Sequence, residues 1–331
     1  MKKLLFVLSC LAAVLLVSCS EEKKPECSDY TTVVPREAVL VAKVDVGALL
    51  QKSQMLDDAD TRDAVVEVIN TMLGSYDLLN VLLADPSACG IDWQQPVLLA
   101  VEDLSSNRGV LSMAVADEAQ LTAFLQQQHI TEGTHDARKF VLSLNRNSSD
   151  AASYITPDTT RWAVRDARFA DVFAAQQDVA LHYNCNLLQG MSAMLGAALP
   201  AELSAVPSAS PDATGLLSLD FQSGIVVLDH QMTDAPVLAS LLSSVLKDQL
   251  SGERVEHEDV TTISLLPELV RQARREGFYA AMPVIEWLDD VSLDVAESGH
   301  QQLRIGLADK EDNALGTIIS FALEAMEDED D

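Results

Sequence analysis

The chain has 331 residues, a formal net charge of -29 at pH 7 from 51 acidic and 22 basic residues, and a hydrophobic fraction of 48%. This length and hydrophobic content predict about two domains, each with room for a core. The negative charge excludes nucleic acid and anionic lipid head groups as partners, because both are bound mainly through lysine and arginine.

The sequence pattern of residues 1–18 predicts a signal peptide. Lys2 and Lys3 precede an apolar run from Leu4 to Leu16, and the sequence LVSC then ends at Cys19. About 13 apolar residues rise roughly 20 Å as a helix, which is short of a ~30 Å hydrocarbon core. An ordinary secretory signal would end in a small-x-small site, of which Ser18 supplies half. The pattern resembles a bacterial lipoprotein signal, and the resemblance implies cleavage before Cys19 and acylation of its thiol.

The composition of residues 19–34 predicts a tether between the lipid anchor on Cys19 and the folded body. They are charged, contain Pro25 and show no helical or strand period. Glu21 and Glu22 resemble the acidic export signal of some Bacteroidetes surface lipoproteins. We therefore expect a lipid-anchored protein at the outer membrane, either exposed on the surface or on the periplasmic face.

A first α+β repeat is predicted over residues 35–160. An apolar, β-branched run up to Asp45 indicates a strand, and the rhythm from Gly47 onward indicates a helix. Two short apolar runs around the polar sequence DLSSNR predict an antiparallel hairpin. Further expected elements are helices within residues 64–83, strands Pro96–Glu102 and Gly109–Val115, a helix opened by Asp117 with the stripe Leu121, Phe124 and Leu125, and a strand within Lys139–Leu144 or Tyr154–Ile155.

The same order is predicted again over residues 161–265. The expected elements are a strand Asp178–Tyr183, a helix Leu187–Leu199, a proline-bearing loop Ala201–Ala213, strands Leu217–Phe221 and Ile225–Leu228, and a closing strand Val260–Leu265. Between them, Asp234 is expected to open a helix with a core-facing stripe at near-ideal helical spacing. That stripe consists of Val237, Leu238, Leu241, Leu242, Val245 and Leu246.

A third, shortened ββα unit is predicted over residues 266–326, followed by an acidic tail at 327–331. Its strands alternate apolar residues around Leu293 and Ile305, and its helix follows Asp309. Each unit thus reaches a helix through an aspartate, at Asp117, Asp234 and Asp309, which favours an internal repeat. The predicted fold class is α+β, with tandem ferredoxin-like βαββαβ units, antiparallel sheets and a carboxy-terminal ββα unit.

Sequence patterns for catalysis, cofactor binding or metal binding are weak. The spacing of glycines and histidines matches no nucleotide-binding or zinc motif, so no cofactor or metal is predicted. An acidic cluster of Asp57, Asp58 and Asp60 could hold calcium, although acids also favour a helix start. At helical spacing, three apolar residues are expected to lie in the core: Met191, Met194 and Leu195. Trp93, Trp162 and Trp287 could form a sugar platform but lie far apart in sequence.

Three cysteines remain after Cys10 is discarded and Cys19 is acylated. Their spacing is too wide for a zinc knuckle or a redox pair. We expect Cys89 and Cys185 to be small core residues and Cys27 to lie in the tether.

Three stretches resemble a Bacteroidetes cell-envelope lipoprotein family of unknown function, the domain of unknown function 4836 type. They are VPREAVLVAKVDVGALLQKSQM from Val34, CGIDWQQPVLLAVED from Cys89 and DKEDNALGTII from Asp309. The resemblance implies a cellular address and a fold, and no activity.

Two kinds of function follow as hypotheses. The first is a non-enzymatic envelope protein that binds or scaffolds a partner, such as an envelope protein or a glycan. The second is a solute-binding or glycan-binding protein, or an enzyme, whose acidic site is assembled across the repeats.

Overall fold

The computed structural model describes residues 30–55, 59, 61–63, 86–103, 106, 108–131, 133–145, 148–155, 162–187, 210, 212–276 and 285–327. These residues form two compact units. Unit 1 contains the chain up to Ala180 together with the residues from Leu315 onward, and unit 2 contains Leu181–Ala314.

Twelve strands and seven α-helices lie in the described part of the chain. The strands are β1 Leu40–Val44, β2 Val97–Asp103, β3 Arg108–Ala114, β4 Gly133–His135, β5 Lys139–Ser143, β6 Val179–Asn184, β7 Thr214–Gln222, β8 Ile225–Thr233, β9 Glu253–His257, β10 Val260–Ser264, β11 Leu288–Ala296 and β12 Gln301–Leu307. The helices are α1 Val46–Lys52, α2 Glu118–Gln127, α3 Ser148–Ile155, α4 Ala170–Ala174, α5 Pro236–Gln249, α6 Leu266–Glu276 and α7 Ala314–Glu327.

In unit 1 the strands lie side by side in the order β4-β5-β3-β2-β1. Each of these neighbouring pairs is antiparallel, and the β2–β3 hairpin places Leu98 opposite Ser112. Fully buried side chains from strands and helices fill its core, among them Val41, Leu98, Leu121 and Phe140. Consecutive residues are buried along β2, β3 and β5, so both faces of this part of the sheet are covered, and α3 and α4 pack against its strands.

In unit 2 the order is β6-β7-β8-β12-β11-β10-β9. The long hairpins β7–β8 and β11–β12 meet through the antiparallel pair β8–β12. A core of Ile263, Leu293 and Val295 lies on one part of this sheet. A second core, which includes Tyr183 and Leu238, forms where α5 packs. The edge strand β9 is exposed at all five positions.

Aspartates start two helices of unit 1. The Asp117 side chain accepts the backbone N–H of Gln120 at the start of α2, as predicted. Asp45, which the sequence did not single out, caps α1 in the same way by accepting the N–H of Ala48 at 3.2 Å. Both carboxylates satisfy a backbone donor that has no partner within its helix.

The predicted roles of Asp234 and Asp309 as helix starts are wrong. Asp234 has a positive φ of 55°, and α5 begins with Pro236 after Ala235, which has no side-chain cap. Proline suits this first position because its missing N–H would be unpaired anyway. Asp309 lies five residues before α7 and accepts the N–H groups of Glu311 and Asp312, which makes it a turn residue.

The predicted core stripe of α5 needs a similar correction. Leu238 and Val245 are buried, whereas Val237 is 66% exposed and Leu241 is half-buried. Ala239 and Ser243 take buried positions instead. The buried face of α5 is therefore rotated relative to the prediction, because small residues also meet the sheet.

The α+β class and the antiparallel strands are confirmed, but tandem ferredoxin-like units are not. A split βαβ arrangement separates the two strands that flank a helix, whereas β1 pairs directly with β2. The sequence offered two places for a further strand. The strand is β5, within Lys139–Leu144, whereas Tyr154 and Ile155 belong to the helix α3. The sequence also missed β9. The helices predicted within 64–83, most of that at Leu187–Leu199 and most of the loop Ala201–Ala213 lie outside the described residues.

The hydropathy of the helices gives one further result. Within the described ranges, no helix combines the length and the apolar character needed to cross a membrane.

Candidate functional site

A cavity of about 830 Å³ opens in unit 1, and we call it the unit 1 cavity. Its volume lies within the range typical of small-molecule sites. Its walls carry the acids Glu37, Glu102 and Asp103, the base Arg108, the aromatic residues Tyr154 and Trp162, the neutral polar residues Thr32, Ser106, Ser143, Asn145 and Ser153, and also Val33 and Pro35. The lining is therefore mostly polar, with two aromatic rings.

Glu102 reaches the cavity through an irregularity in the β2–β3 hairpin. The strand register shifts between Val101 and Asp103, so Glu102 sits at a bulge rather than in the regular ladder. A bulge re-aims the side chain of the extra residue. The Glu102 carboxylate is only 12% exposed, and its Oε2 lies 3.0 Å from a guanidinium nitrogen of Arg108 across the turn.

Tyr154 supplies a second hydrogen bond to the same carboxylate. Its hydroxyl donates to Glu102 Oε1 at 2.5 Å, from the helix α3 that packs against β4 and β5. Burial and the adjacent Glu102 carboxylate raise the pKa of Tyr154 above its ordinary value. Tyr154 therefore stays protonated at neutral pH, and both Glu102 oxygens are engaged by donors within the wall.

Trp162 forms another wall, held by backbone bonds to the amino-terminal segment of unit 1. Trp162 pairs with Pro35 in an isolated antiparallel bridge, and Ala163 N donates to Val34 O at 2.9 Å. The guanidinium of Arg165 lies over the indole, 4.7 Å from its centre. Arg165 is absent from the described lining, so it holds the ring by a cation–π contact without entering the cavity.

Asp166 clamps the Trp162 segment in place. Its carboxylate accepts hydrogen bonds from Arg168 at 3.0 and 3.1 Å and from Arg36 Nε at 2.5 Å. Hydrogen bonds from Arg168, followed by those from its backbone and from Arg36, outweigh burial and hold the pKa of Asp166 well below its usual range. The ionised Asp166 carboxylate therefore fixes the turn that carries Trp162 to Arg36, whose neighbours Pro35 and Glu37 line the cavity.

The other polar wall residues also bond to one another. Ser106 Oγ donates to Asp103 Oδ2 at 2.8 Å, and Ser143 Oγ donates to Asn145 Oδ1 at 2.7 Å. A site whose polar groups are already oriented by neighbours is suited to bind and orient a ligand. The paired state of Glu102 fits this role better than that of a general base, which needs hydrogen-bond access to a substrate proton.

A contrasting polar network lies in unit 2, where Tyr183 and Gln301 are buried and His230 between them is half-buried. The Tyr183 hydroxyl lies 2.7 Å from Nε2 of His230, whose Nδ1 lies 2.5 Å from Gln301 Oε1. Gln301 Nε2 in turn donates to Gly299 O at 2.6 Å. Burial is the main cause that lowers the pKa of His230. This chain of bonds satisfies buried polar groups inside a core.

The sequence-predicted site residues are not brought together. Trp93 donates to Pro86 O in unit 1, Trp287 belongs to unit 2, and Trp162 alone among these three tryptophans lines the unit 1 cavity. Cys89 and Cys185 are buried, as predicted, and burial raises the pKa of Cys185 to about 11. Cys19, Cys27, the cluster Asp57, Asp58 and Asp60, and Met191, Met194 and Leu195 lie outside the described residues.

Among the residues with described positions, no group of three or more histidine, cysteine, aspartate or glutamate side chains could hold a metal ion. The polar unit 1 cavity is the candidate site.

The fold and cavity define an α+β protein with a polar, ligand-sized site and no assigned chemistry. Residues 30–147 match the model of a family described as a domain of unknown function, DUF4836. The match confirms the predicted domain of unknown function for this segment, and its description names no activity. No curated protein and no solved structure matches the chain significantly. Every cavity-lining residue except Ser153, Tyr154 and Trp162 lies within the matched segment.

Sequence reasoning missed Glu102, Arg108, Asn145 and Tyr154 as site residues. One available signal was the opposite charge of Glu102, directly before the predicted turn DLSSNR, and of Arg108, its last residue. Such cross-strand charge pairs stabilise hairpins, so this pattern alone indicates a role in stability rather than in ligand binding. The site becomes visible only when α3 and the Trp162 turn are placed beside this hairpin.

Proposed function

We propose that the protein is a lipid-anchored cell-envelope protein that works as a non-enzymatic binding module, with the unit 1 cavity as its ligand site. The observation that carries the proposal is the arrangement of Glu102, whose two carboxylate oxygens are held by Arg108 and Tyr154 inside a cavity of about 830 Å³. Groups oriented in this way recognise a ligand without being positioned for proton transfer.

A variant pair on α3 tests the binding function. Ser153 lines the cavity, whereas its neighbour Ala152 is exposed and does not belong to the described lining. Ser153→Trp should obstruct the cavity, and Ala152→Trp places the same bulk on the same helix outside it. A ligand present at one hundred times its Kd stabilises a protein by about 2.7 kcal/mol, which thermal unfolding detects readily.

The screen uses the purified full-length lipoprotein in detergent and a library of glycans, peptides, amines and divalent ions. We expect at least one compound to raise the Tm of the wild type and of Ala152→Trp but not of Ser153→Trp. A compound that stabilises all three proteins equally binds elsewhere. If the whole library and a pulldown of envelope components give no cavity-dependent binding, the proposal is wrong.

The lipid anchor is tested at Cys19. We infer that this thiol is acylated because LVSC closes a short apolar run behind Lys2 and Lys3. Two or more acyl chains anchor a protein stably, since each buried methylene adds about 0.8 kcal/mol. Labelled fatty acid should appear on the wild type and vanish in Cys19→Ala. Label that persists in the variant would contradict the anchor.

We further propose display on the outer surface of the outer membrane, supported by Glu21 and Glu22 directly behind Ser20. Thr32, in the cavity wall, follows Cys19 by about 13 residues, and a flexible tether of that length spans roughly 20 Å. The site would then lie near the lipid surface. Protease added to intact cells should digest the protein while a periplasmic control survives, and protection until permeabilisation would place it on the periplasmic face.

The repeat organisation is part of the same proposal. Each of the hairpins β2–β3, β7–β8 and β11–β12 is followed along the chain by a helix, α2, α5 and α7 respectively. This recurrence supports an internal repeat. The repeat is proposed without the ferredoxin-like arrangement of its units, because β1 pairs directly with β2.

A further inference from the structure

The walls of the unit 1 cavity disfavour an anionic ligand. Among the wall residues that the structure describes, three carboxylates, on Glu37, Glu102 and Asp103, face the cavity together with one guanidinium, on Arg108. A ligand phosphate or carboxylate placed there would meet a surplus of like charge in a partly enclosed site, where screening by solvent is weaker than in bulk water.

The bonding of these carboxylates also weakens the case for a polycation. Glu102 is already compensated by Arg108 at 3.0 Å and hydrogen-bonded to Tyr154 at 2.5 Å. Asp103 accepts a hydrogen bond from Ser106. A cationic ligand would have to compete with the bound guanidinium for Glu102, and it would face Arg108 as a like charge. An uncharged ligand meets neither cost.

The neutral wall residues match a ligand that is rich in hydroxyl groups. The Ser143 hydroxyl donates to Asn145 Oδ1 at 2.7 Å within the wall. The side chains of Thr32, Asn145 and Ser153 also line the cavity, and hydroxyl and amide groups are of the types that both donate and accept hydrogen bonds. A ligand hydroxyl has the same dual capacity, and carboxylates such as Asp103 accept from it strongly. A site built to hydrogen-bond a hydroxyl discriminates strongly against analogues that lack it.

Trp162 adds an apolar surface at one side of this polar wall. Its backbone is fixed by the bridge to Pro35, and Arg165 lies over one face of the indole, so a ligand ring would pack against the opposite face. A sugar ring presents C–H groups on its faces and hydroxyls around its rim. That pattern fits an aromatic face, which carries partial negative charge, set beside polar side chains.

From this combination we propose that the unit 1 cavity binds an uncharged carbohydrate, with a sugar ring against the indole of Trp162 and its hydroxyls hydrogen-bonded to Asp103, Asn145 and Ser153. The inference rests on the proposed binding function and specifies its ligand class. Glu102 acts as a positioning residue in this site, because its oxygens orient Arg108 and Tyr154.

The test uses full-length lipoprotein in detergent and three probe classes. Neutral oligosaccharides of glucose, galactose, mannose and N-acetylglucosamine form the first class, oligogalacturonate the second, and spermidine with trilysine the third. Isothermal titration calorimetry gives the affinity, and tryptophan fluorescence reports contact with the indole. We expect a neutral oligosaccharide to bind, with a change in fluorescence, and the charged probes to bind at least about tenfold more weakly.

Variants of tryptophan locate the sugar ring. Trp162→Ala should weaken binding about tenfold or more, whereas Trp162→Phe retains an aromatic face and should lose less. Trp287→Phe, in unit 2, is the matched control and should leave affinity and the fluorescence change intact. Because Trp162→Ala could disturb the fold, circular dichroism is recorded for each variant. Asn145→Ala gives an independent loss of affinity without touching an aromatic residue.

Each other outcome overturns a defined part of the inference. Cavity-dependent binding of spermidine or trilysine in place of sugars overturns the ligand class and leaves the binding function intact. Sugar binding that Trp162→Ala, Trp162→Phe and Asn145→Ala leave unchanged overturns the location. Binding of no probe overturns the carbohydrate assignment, and the proposed function fails with it only if the wider library also fails. Cleavage of a bound oligosaccharide would retain the ligand class and overturn the non-enzymatic role.

Discussion

The two units each contain a tyrosine hydroxyl bonded to an ionisable partner, but the surroundings differ. In unit 1, Tyr154 donates to Glu102 at 2.5 Å and lines a cavity. In unit 2, the Tyr183 hydroxyl lies 2.7 Å from His230 within a core, and Tyr183 is 8% exposed. The same kind of bond therefore shapes a cavity wall in one unit and satisfies buried groups in the other. Access, rather than residue type, separates the two roles.

The direction of the unit 2 bonds follows from Gln301. Its amide nitrogen donates to Gly299 O, so its oxygen faces Nδ1 of His230 and accepts from it. Nε2 of the neutral imidazole is then the acceptor for the Tyr183 hydroxyl. Removal of any one member leaves another buried polar atom unpaired, which is costly.

The largest expected effect comes from the core beneath the Tyr183 network. Leu238 is 7% exposed and packs in the cluster that contains Tyr183 and Met232. Leu238→Ala should lower the free energy of unfolding by about 2 to 5 kcal/mol through lost burial and a cavity. Its neighbour Val237 is 66% exposed, so Val237→Ala should stay within about 0.5 kcal/mol of the wild type. Urea denaturation measures both, and equal losses would contradict the observed face of α5.

A pair of tyrosine variants compares the two networks directly. Tyr183→Phe leaves Nε2 of His230 without its donor in a buried site and should cost about 1 to 3 kcal/mol of stability. Tyr154→Phe should cost less, about 0.5 to 1.5 kcal/mol, because Glu102 keeps Arg108 and the site borders a cavity.

Ligand binding should show the reverse order for this pair. Tyr154→Phe removes a polar group from the cavity wall and should weaken binding of the carbohydrate, whereas Tyr183→Phe lies in unit 2 and should leave the affinity unchanged. Calorimetry on both variants decides between these roles. A binding loss in Tyr183→Phe with none in Tyr154→Phe would show that the functional site had been assigned to the wrong unit.

Local patterns explain which parts of the fold were predictable. The hairpin β2–β3 follows from two short apolar runs around a polar turn. The start of α2 follows from one aspartate, Asp117, whose side chain accepts a nearby backbone N–H. Both depend on residues that are close in sequence: the paired residues Leu98 and Ser112 of the hairpin are 14 positions apart, and Asp117 and Gln120 are three apart. The same reasoning failed at Asp234 and Asp309, where the neighbouring backbone, rather than residue type, decides whether a carboxylate meets a helix end.

Long-range placement explains what the sequence left open. The direct pairing of β1 with β2 joins strands separated by more than fifty residues, and no periodicity encodes that choice. The cavity has the same character, since Thr32, Glu102 and Trp162 meet only through the bridge between Pro35 and Trp162 and the bulge at Glu102. Trp162 was a candidate for sugar contact from its chemistry, but its neighbours could not be known.

The smallest expected effect is a pH dependence of stability that originates in unit 2. Burial lowers the pKa of His230, and the charge of His300 acts in the same direction, while the bond to Gln301 and the charge of Asp229 oppose it. In the unfolded chain this imidazole titrates near its ordinary pKa of about 6.5. As the pH falls through that value, the unfolded state takes up a proton before the native state does, so the free energy of unfolding decreases.

His230→Gln removes the titrating group and should flatten the fall in unfolding free energy between pH 7 and pH 5. The exposed His257 of β9 provides the control, since His257→Gln should leave the slope as in the wild type. Urea denaturation at pH 5, 6 and 7 measures the slopes. A slope unchanged in His230→Gln would mean that the buried imidazole does not couple protonation to folding. A slope reduced in His230→Gln but not in His257→Gln would show that the core around Tyr183 and His230 disfavours the charged imidazole. In this respect that core differs from the open cavity beside Tyr154.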